Sequence, residues 1–428
     1  MIRSALRPAL LAVPVVAWTG SQRAVPCDPD NAGITVPAGF CVTRFADSLQ
    51  LPRHMVVAPN GDLLIVGNAR GGRGGQGSPG SLFLLRDADG DGRAELVTRL
   101  AQASGSGIAL ANGYLYSSSG RSIVRYRYEA GQTTLGPADT IIRDLPTGGH
   151  AANNFLVVGS TLYLNIGSRS NACEPGPRAP QTPGADPCVE LETRAGIWSF
   201  DANRTDQTPA DGVRFATGIR NAIALTTDPR DGTLWATMHG RDGLQPPPAG
   251  LWPDHDNRYG AENPGEQVIH ILKGDDFGWP YCYWSMDERA LVTAPEYGGD
   301  GTKTDRCTDR KPPAYAFPGH WAPNDMLFYT GTQFPAEYRD GAFVAFHGSW
   351  NRAPLPNEGF RVSFLPIGDG RVTGAHRDFA TDFSLPNQQP GRDGRIHRPA
   401  GLAQGTDGSL YVADDFGGTI YRISYTGR

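Results

Sequence analysis

What this sequence lacks narrows it first. No long stretch repeats apolar residues at the 3.6-residue spacing of a helix. Glycine (55) and proline (35), both costly inside helices, make up about a fifth of the 428 residues. A mostly helical protein is therefore excluded. No run of lysine or arginine occurs and the formal net charge is −5, so the phosphate-neutralising surface that nucleic-acid binding requires is missing. A basic patch for a membrane surface is missing for the same reason. None of the six cysteines forms CxxC or CxxCH, which disfavours zinc ribbons, thioredoxin-type chemistry and covalent haem c.

What is present points outward and to β structure. Met1-Ile-Arg3-Ser-Ala-Leu-Arg7, then an apolar run from Ala9 to Trp18, read as a secretory signal whose core is too short to span a bilayer. The expected cleavage lies between Thr19 and Ala24, making 1–24 the signal, 25–50 a leading segment and 51–428 the main domain. The expected location is secreted or periplasmic, with no transmembrane segment. The cysteines form three local couples, Cys27 with Cys41, Cys173 with Cys188 and Cys282 with Cys307, separated by stretches rich in Pro, Gly and Asp. Six cysteines allow fifteen pairings; nearest-neighbour bridging is expected.

A chain this long allows two or three domains or one large all-β domain. Internal repetition favours the latter. A unit of apolar strand, polar turn, Leu-Tyr-Val type strand and a third strand recurs six times. Its copies begin at His54, Gly107, Asn154, Ala222, Asp325 and Ala400, with turns such as Asn60-Gly61, Asp231-Gly232 and Asp407-Gly408. Apolar alternation between turn residues is how stacked strands read, so the expected fold is a six-bladed β-propeller of four-stranded antiparallel blades. A β-sandwich, the competing reading, has no need of the recurring order. In a propeller the first strand of each blade starts at the axis. The residues leading into those strands are Arg53-His54, Ser104-Gly105-Ser106, Gly149-His150, Arg220-Asn221, His320-Trp321 and His397-Arg398. Four of the six carry histidine in a chain with nine, which predicts one central functional funnel.

At these residues the sequence resembles the soluble dehydrogenases of aldoses (glucose) and of sorbosone that depend on pyrroloquinoline quinone (PQQ). The resemblance runs from about Val36 to Tyr425. Its sharpest stretches are Gly218-Ile-Arg-Asn221, Trp235-Ala-Thr-Met-His-Gly-Arg-Asp-Gly243, Lys273-Gly-Asp-Asp-Phe-Gly-Trp-Pro280, Phe346-His-Gly-Ser-Trp-Asn-Arg352 and Arg398-Pro-Ala-Gly-Leu402. Asn171-Ala-Cys173 and Pro280-Tyr-Cys-Tyr-Trp284 look closer to the sorbosone branch.

The resemblance implies hydride transfer from a sugar, sugar-derived aldehyde or polyol to PQQ, with calcium as second cofactor. A separate quinone or cytochrome would then accept the electrons. It implies His150 as general base, a task suited to an imidazole, and Arg220 as the cation polarising the quinone carbonyl. Asn221, Arg395, Arg398, His347 and Gln102 would bind the cofactor. Carbonyls of Gly240 and Arg241 would hold the calcium, which prefers hard oxygen ligands. Two positions depart from the glucose enzymes: His347 stands near a lysine of that family, and Ser168 stands where they carry an aspartate beside the base. Losing that carboxylate removes the obvious orienter and pKa-raiser of His150.

One motif needs no family. Asp87, Asp89, Asp91 and Glu95 occupy positions 1, 3, 5 and 9 of an EF-hand-like loop with Gly92 at position 6, although position 12 is Thr98. It is expected to be a structural calcium site on a blade turn, against the simpler reading of a solvated Asp-Gly hairpin. Tyr281, Trp284, Trp321 and Trp350 are candidate sugar-stacking aromatics, with core packing the competing explanation. Two other functions compete with dehydrogenation. A lactonase-type propeller hydrolase would want carboxylates leading into the inner strands, and a non-catalytic binding propeller would fit the departures at Ser168 and His347.

Overall fold

The computed structural model of the protein describes residues 25–68, 79–176, 182–244, 257–384 and 397–427. The expected signal and Arg395 lie outside them. Six antiparallel sheets are arranged as a β-propeller. Blade one comprises Pro52–Val57, Leu63–Gly67, Ser81–Arg86 and Leu96–Gln102, and blade two Ile108–Ala111, Tyr114–Ser119, Ser122–Arg127 and Asp139–Ile142. Blade three comprises Phe155–Val158, Thr161–Ile166, Gly196–Asp201 and Val213–Thr217. Blade four comprises Ala222–Thr227, Leu234–Met238, Glu266–Ile271 and Tyr315–Phe317. In blade five Pro323–Phe328, Gly341–Phe346 and Arg361–Gly368 pair in turn, and Arg377–Ala380 adds the outer strand.

Blade six departs from the expected partition. Its first three strands are Pro399–Gln404, Leu410–Asp414 and Thr419–Tyr425, but its outer strand is Phe40–Ala46 from the segment expected only to lead in. Register runs from Phe40 opposite Tyr425 to Ala46 opposite Ile420. Both ends of the described chain thus build one sheet.

The six inner strands touch in succession and close a ring. Each blade lies between two others, so both faces are covered and the inner positions read as continuous apolar runs. Leu63–Gly67 and Gly341–Phe346 are buried at every residue. The core is accordingly divided into clusters between neighbouring blades: Tyr116, Ile123, Phe155 and Trp198 fill the seam of blades two and three, and Trp235, Phe317, Phe346 and Leu365 that of four and five.

Long insertions leave blades three and four. Residues 167–195, between the second and third strands of blade three, carry the Cys173–Cys188 disulfide. In blade four the hairpin of Cys282–Ser285 and Ala290–Thr293 is bridged to Cys307. Cys27 joins Cys41 at the outer strand of blade six. All three nearest-neighbour pairings are present, with Cα–Cα distances of 5.4, 6.0 and 5.9 Å. Among the described residues no helix is long and apolar enough to cross a membrane.

Candidate active site

Antiparallel blades put the starts of first strands and the loops after second strands at the same end of the ring. From that end the blades converge on a cavity of about 140 Å³. His150, Arg220, Asn221, His320 and Ala322 reach it from residues leading into inner strands; Gly240, Asp242, Gly348, Trp350 and Asn351 reach it from loops after second strands. A larger cleft of about 730 Å³ opens beside it, walled by the disulfide-bridged insertion of blade three and sharing His150.

His150 is fixed by Ser168. The His150 amide donates to the Ser168 carbonyl at 2.9 Å, and the Ser168 amide donates to the Arg220 carbonyl at 2.8 Å. Gly149 makes this approach possible: its φ is +61°, and a Cβ there would fall 2.4 Å from the Arg169 carbonyl oxygen. The ring nitrogen Nδ1 lies 2.9 Å from Ser168 Oγ and 3.1 Å from the Ser168 carbonyl. Ser168 spends its own proton on the Ser170 carbonyl at 2.7 Å, so its oxygen accepts from Nδ1–H. That sets the tautomer: Nε2 keeps its lone pair. The expectation that serine leaves the base without an orienter is corrected. Serine orients it, but supplies no charge. Burial first, then the Arg220 cation, push the imidazole down to about 2, so it stands neutral.

Arg220 is 4% exposed and held on three sides. Its Nη1 donates to the Gly240 carbonyl at 2.8 Å, and its Nη2 to Asn171 Oδ1 at 3.0 Å and Asp242 Oδ2 at 3.2 Å. The Asn221 side-chain oxygen, beside it, is buried without a hydrogen-bond partner among the described residues. Glu266 closes the floor, accepting from the Gly240 amide at 2.9 Å and the Ala322 amide at 3.3 Å; burial pushes its carboxyl up to about 7.

A second cluster adjoins at blades one, five and six. His347 Nε2 meets Asp415 Oδ1 at 2.7 Å, and Arg53 Nη1 meets Asp415 Oδ2 at 2.6 Å. Arg398 donates to the carbonyls of His347 at 2.7 Å and of Gly348, a cavity residue, at 2.8 Å. Arg398 forms no ion pair among the described residues, and burial pulls its guanidinium below the usual range.

Several expected residues stand elsewhere. The Arg241 side chain turns from the cavity into a bidentate pair with Glu296, although its neighbours Gly240 and Asp242 line it. Gln102 ends the outer strand of blade one, exposed and outside the cavity lining. Trp321 is corrected to a core residue: left-handed backbone at His320 (φ 64°) and Ala322 (φ 57°) brackets it, and its ring packs on Phe317, Phe346 and His376. Tyr281 packs on Tyr297 beneath Arg306 and accepts from the Cys188 amide. Trp284 packs with the Cys282–Cys307 bridge. Of the four aromatics, only Trp350 lines the cavity, and it is 64% exposed. His54 and His397 are held by Asn324 and Asp414.

Asn171, His239, Asp242, Glu266 and Asn351 went unassigned in the sequence reading. His239 and Asp242 sit inside Trp235–Gly243, one of its sharpest motifs, and Asn351 sits inside Phe346–Arg352; Glu266 carried no comparable signal. The Asp87, Asp89, Asp91 and Glu95 oxygens gather within 4.8 Å of one another. They lie on the loop between the third and fourth strands of blade one, at the end of the ring away from the cavity.

Comparison with known proteins bears on this site. A family model described as TrAA12-like matches residues 34–426. The pyrroloquinoline quinone-dependent pyranose dehydrogenase of Coprinopsis cinerea is 27% identical over 440 residues, covering 91% of this chain and 54% of its own. The chain spans about half the length of the curated relatives it matches. The holo PQQ domain of the Coprinopsis cinerea pyranose dehydrogenase superposes with a TM-score of 0.73 at 22% identity, over 91% of this chain and 97% of that one. The calcium structure of the Trichoderma reesei enzyme of carbohydrate-active family AA12 gives 0.74 at 19%, over 92% and 97%. These matches agree with the resemblance read from the motifs, without singling out its sorbosone branch.

Proposed function

The chain belongs to the TrAA12-like family, and on that premise we propose that it is a PQQ- and calcium-dependent dehydrogenase of a sugar or polyol C–OH group. One observation carries this reading: a neutral imidazole with its Nε2 lone pair free stands beside a buried, fixed guanidinium in one cavity.

The residues fit the cofactor. Asn221 offers a buried oxygen without a partner among the described residues, and Arg398 is a half-buried cation whose guanidinium meets backbone carbonyls. PQQ carries carboxylates and would be held there, with His347 alongside and Arg395 contributing by resemblance. The Gly240 and Arg241 carbonyls would take calcium; the Gly240 oxygen already accepts from Arg220 but has a second lone pair. Oxygen donors of this kind suit a hard cation.

PQQ, when bound, supplies the two-electron acceptor. This chain supplies the rest. The substrate hydroxyl donates to His150 Nε2, which takes the proton as the same carbon loses hydride and becomes a carbonyl. Ser168 keeps Nε2 aimed inward. Arg220 places a fixed positive charge where negative charge develops, a contribution of electrostatic preorganisation. Trp350 would cap the substrate ring from the solvent side, its broad face suited to stacking.

Two further elements support the same reading. Three disulfides fit a secreted or periplasmic protein, and a separate quinone or cytochrome would reoxidise the cofactor. The blade-one loop would hold a structural calcium through Asp87, Asp89, Asp91 and Glu95.

Reconstitution tests the reading. Apo-protein supplied with PQQ and calcium should reduce a dye in the presence of an aldose, sorbosone or a polyol. His150→Ala should lower kcat by at least about 10²-fold while PQQ binding, followed by tryptophan fluorescence, persists. No binding and no turnover would defeat the proposal, and lactone hydrolysis without PQQ would move the chain to hydrolase chemistry.

A further inference from the structure

Arg220, at the start of blade four, owes part of its position to a residue of the neighbouring blade. Asn171 lies in the insertion of blade three, two residues before Cys173 and its bridge to Cys188. The residue is 7% exposed and its side chain makes three hydrogen bonds. Asn171 Oδ1 accepts from Arg220 Nη2 at 3.0 Å and from the Asp242 amide at 2.9 Å, while Nδ2 donates to the Asp242 carbonyl at 2.8 Å. One amide group therefore aligns the arginine and the loop carrying its ion-pair partner. The Asn171 backbone is gripped in turn by blade four: Trp279 Nε1 donates to its carbonyl at 2.8 Å, and the Tyr297 hydroxyl donates to the next carbonyl, that of Ala172, at 3.0 Å.

We propose that Asn171 is the positioning residue that aims the Arg220 guanidinium at the reacting centre, and that the Cys173–Cys188 bridge keeps it there. An arginine has several torsions to freeze, and two of the groups that hold it, Asn171 and Asp242, are joined to each other by a pair of hydrogen bonds. An uncharged amide can do this without neutralising the cation; a carboxylate in its place would weaken the positive charge that the reaction uses. The inference rests on the dehydrogenase reading for its catalytic meaning, but its structural half stands alone.

The test has both halves. Crystal structures of the apo-protein and of Asn171→Ala should show the guanidinium displaced from the Gly240 carbonyl in the variant. Kinetically, Asn171→Ala should lower kcat 10- to 100-fold, with sugar KM and PQQ Kd within about threefold. In an Arg220→Ala background the same change should cost less than about twofold, because residues acting through one another are not additive. Asn171→Asp, which keeps the shape, should also lower kcat. Arg220 unmoved in the variant crystal, or a full loss from Asn171→Ala in the absence of Arg220, would overturn the proposal. Absence of turnover in the wild type would defeat the dehydrogenase reading alone, since the crystal comparison would still decide where Asn171 puts Arg220. If Asn171→Ala fails to fold, Asn171→Leu, which fills the space but offers Arg220 no acceptor, takes its place with the same crystal and kinetic readouts and the same overturning outcomes.

Discussion

At the scale of single residues, the site couples a neutral base to a serine. Because Ser168 contributes no charge and burial and Arg220 push His150 down to about 2, kcat/KM should show no acid limb from this imidazole between pH 5 and 8. Ser168→Asp should create one, since a carboxylate beside the imidazole raises its pKa; activity would then fall on acidification through the new value. Profiles of kcat/KM against pH for the two proteins check this, and superimposable curves would remove Ser168 from control of the base. The meeting of His150, Arg220 and Asn221 in one cavity was legible in the sequence because all three stand at the start of repeated strands. Glu266 was not, and Asn171 stood in a quoted motif without its contact to Arg220 being foreseen. Their work is to hold amides and another side chain, and such work leaves no spacing to read. Trp321 was misread because adjacency to His320 says nothing about which way a side chain leaves a left-handed turn.

At the scale of elements, the disulfide-bridged insertion of blade three walls the larger cleft, and that of blade four packs behind it through Trp279 and Tyr297. The pair Arg241–Glu296, each side chain 5% exposed, ties the Gly240–Asp242 loop to the blade-four insertion. Glu296→Gln leaves the Arg241 cation buried with an uncompensated charge, which should destabilise the protein by about 3–5 kcal/mol, read by urea unfolding; an unchanged midpoint would mean the pair is dispensable. The blade-one loop makes a separate prediction. If it holds calcium, EGTA should lower Tm, and Asp89→Asn with Asp91→Asn should shrink that shift, leaving what the calcium at the Gly240 and Arg241 carbonyls contributes, while PQQ binding in added calcium continues. Three strands of every blade were visible as apolar alternation. The outer strands were not, because Leu96–Gln102, for example, has no fully buried position and so carries little hydrophobic signal.

At the scale of the whole molecule, buried titratable groups bias stability with pH. In the folded apo-protein His150 and His239 are pushed down to about 2 and about 4, and Glu266 is pushed up to about 7. Between about pH 4.5 and 6.5 the unfolded chain holds protons on both imidazoles that the folded chain refuses. The folded chain keeps one on Glu266 that the unfolded chain releases. Two outweigh one, so these groups make stability rise with pH across that window, checked by Tm at pH 4.5, 5.5 and 6.5; a falling Tm would reverse the sign. The six-blade ring was readable from the repeats, but not its closure, since Phe40–Ala46 looks like any short apolar strand until its partner is known. That partner is a long way off: Thr426 and Gly39, at the margin of the closing sheet, are hydrogen-bonded across 387 positions. A ring clasped in this manner has no finished rim until the strand Thr419–Tyr425 has left the ribosome. Half-made chains would expose an unclosed seam in the meantime, and a protease that trimmed either clasping strand would unlock every blade at once.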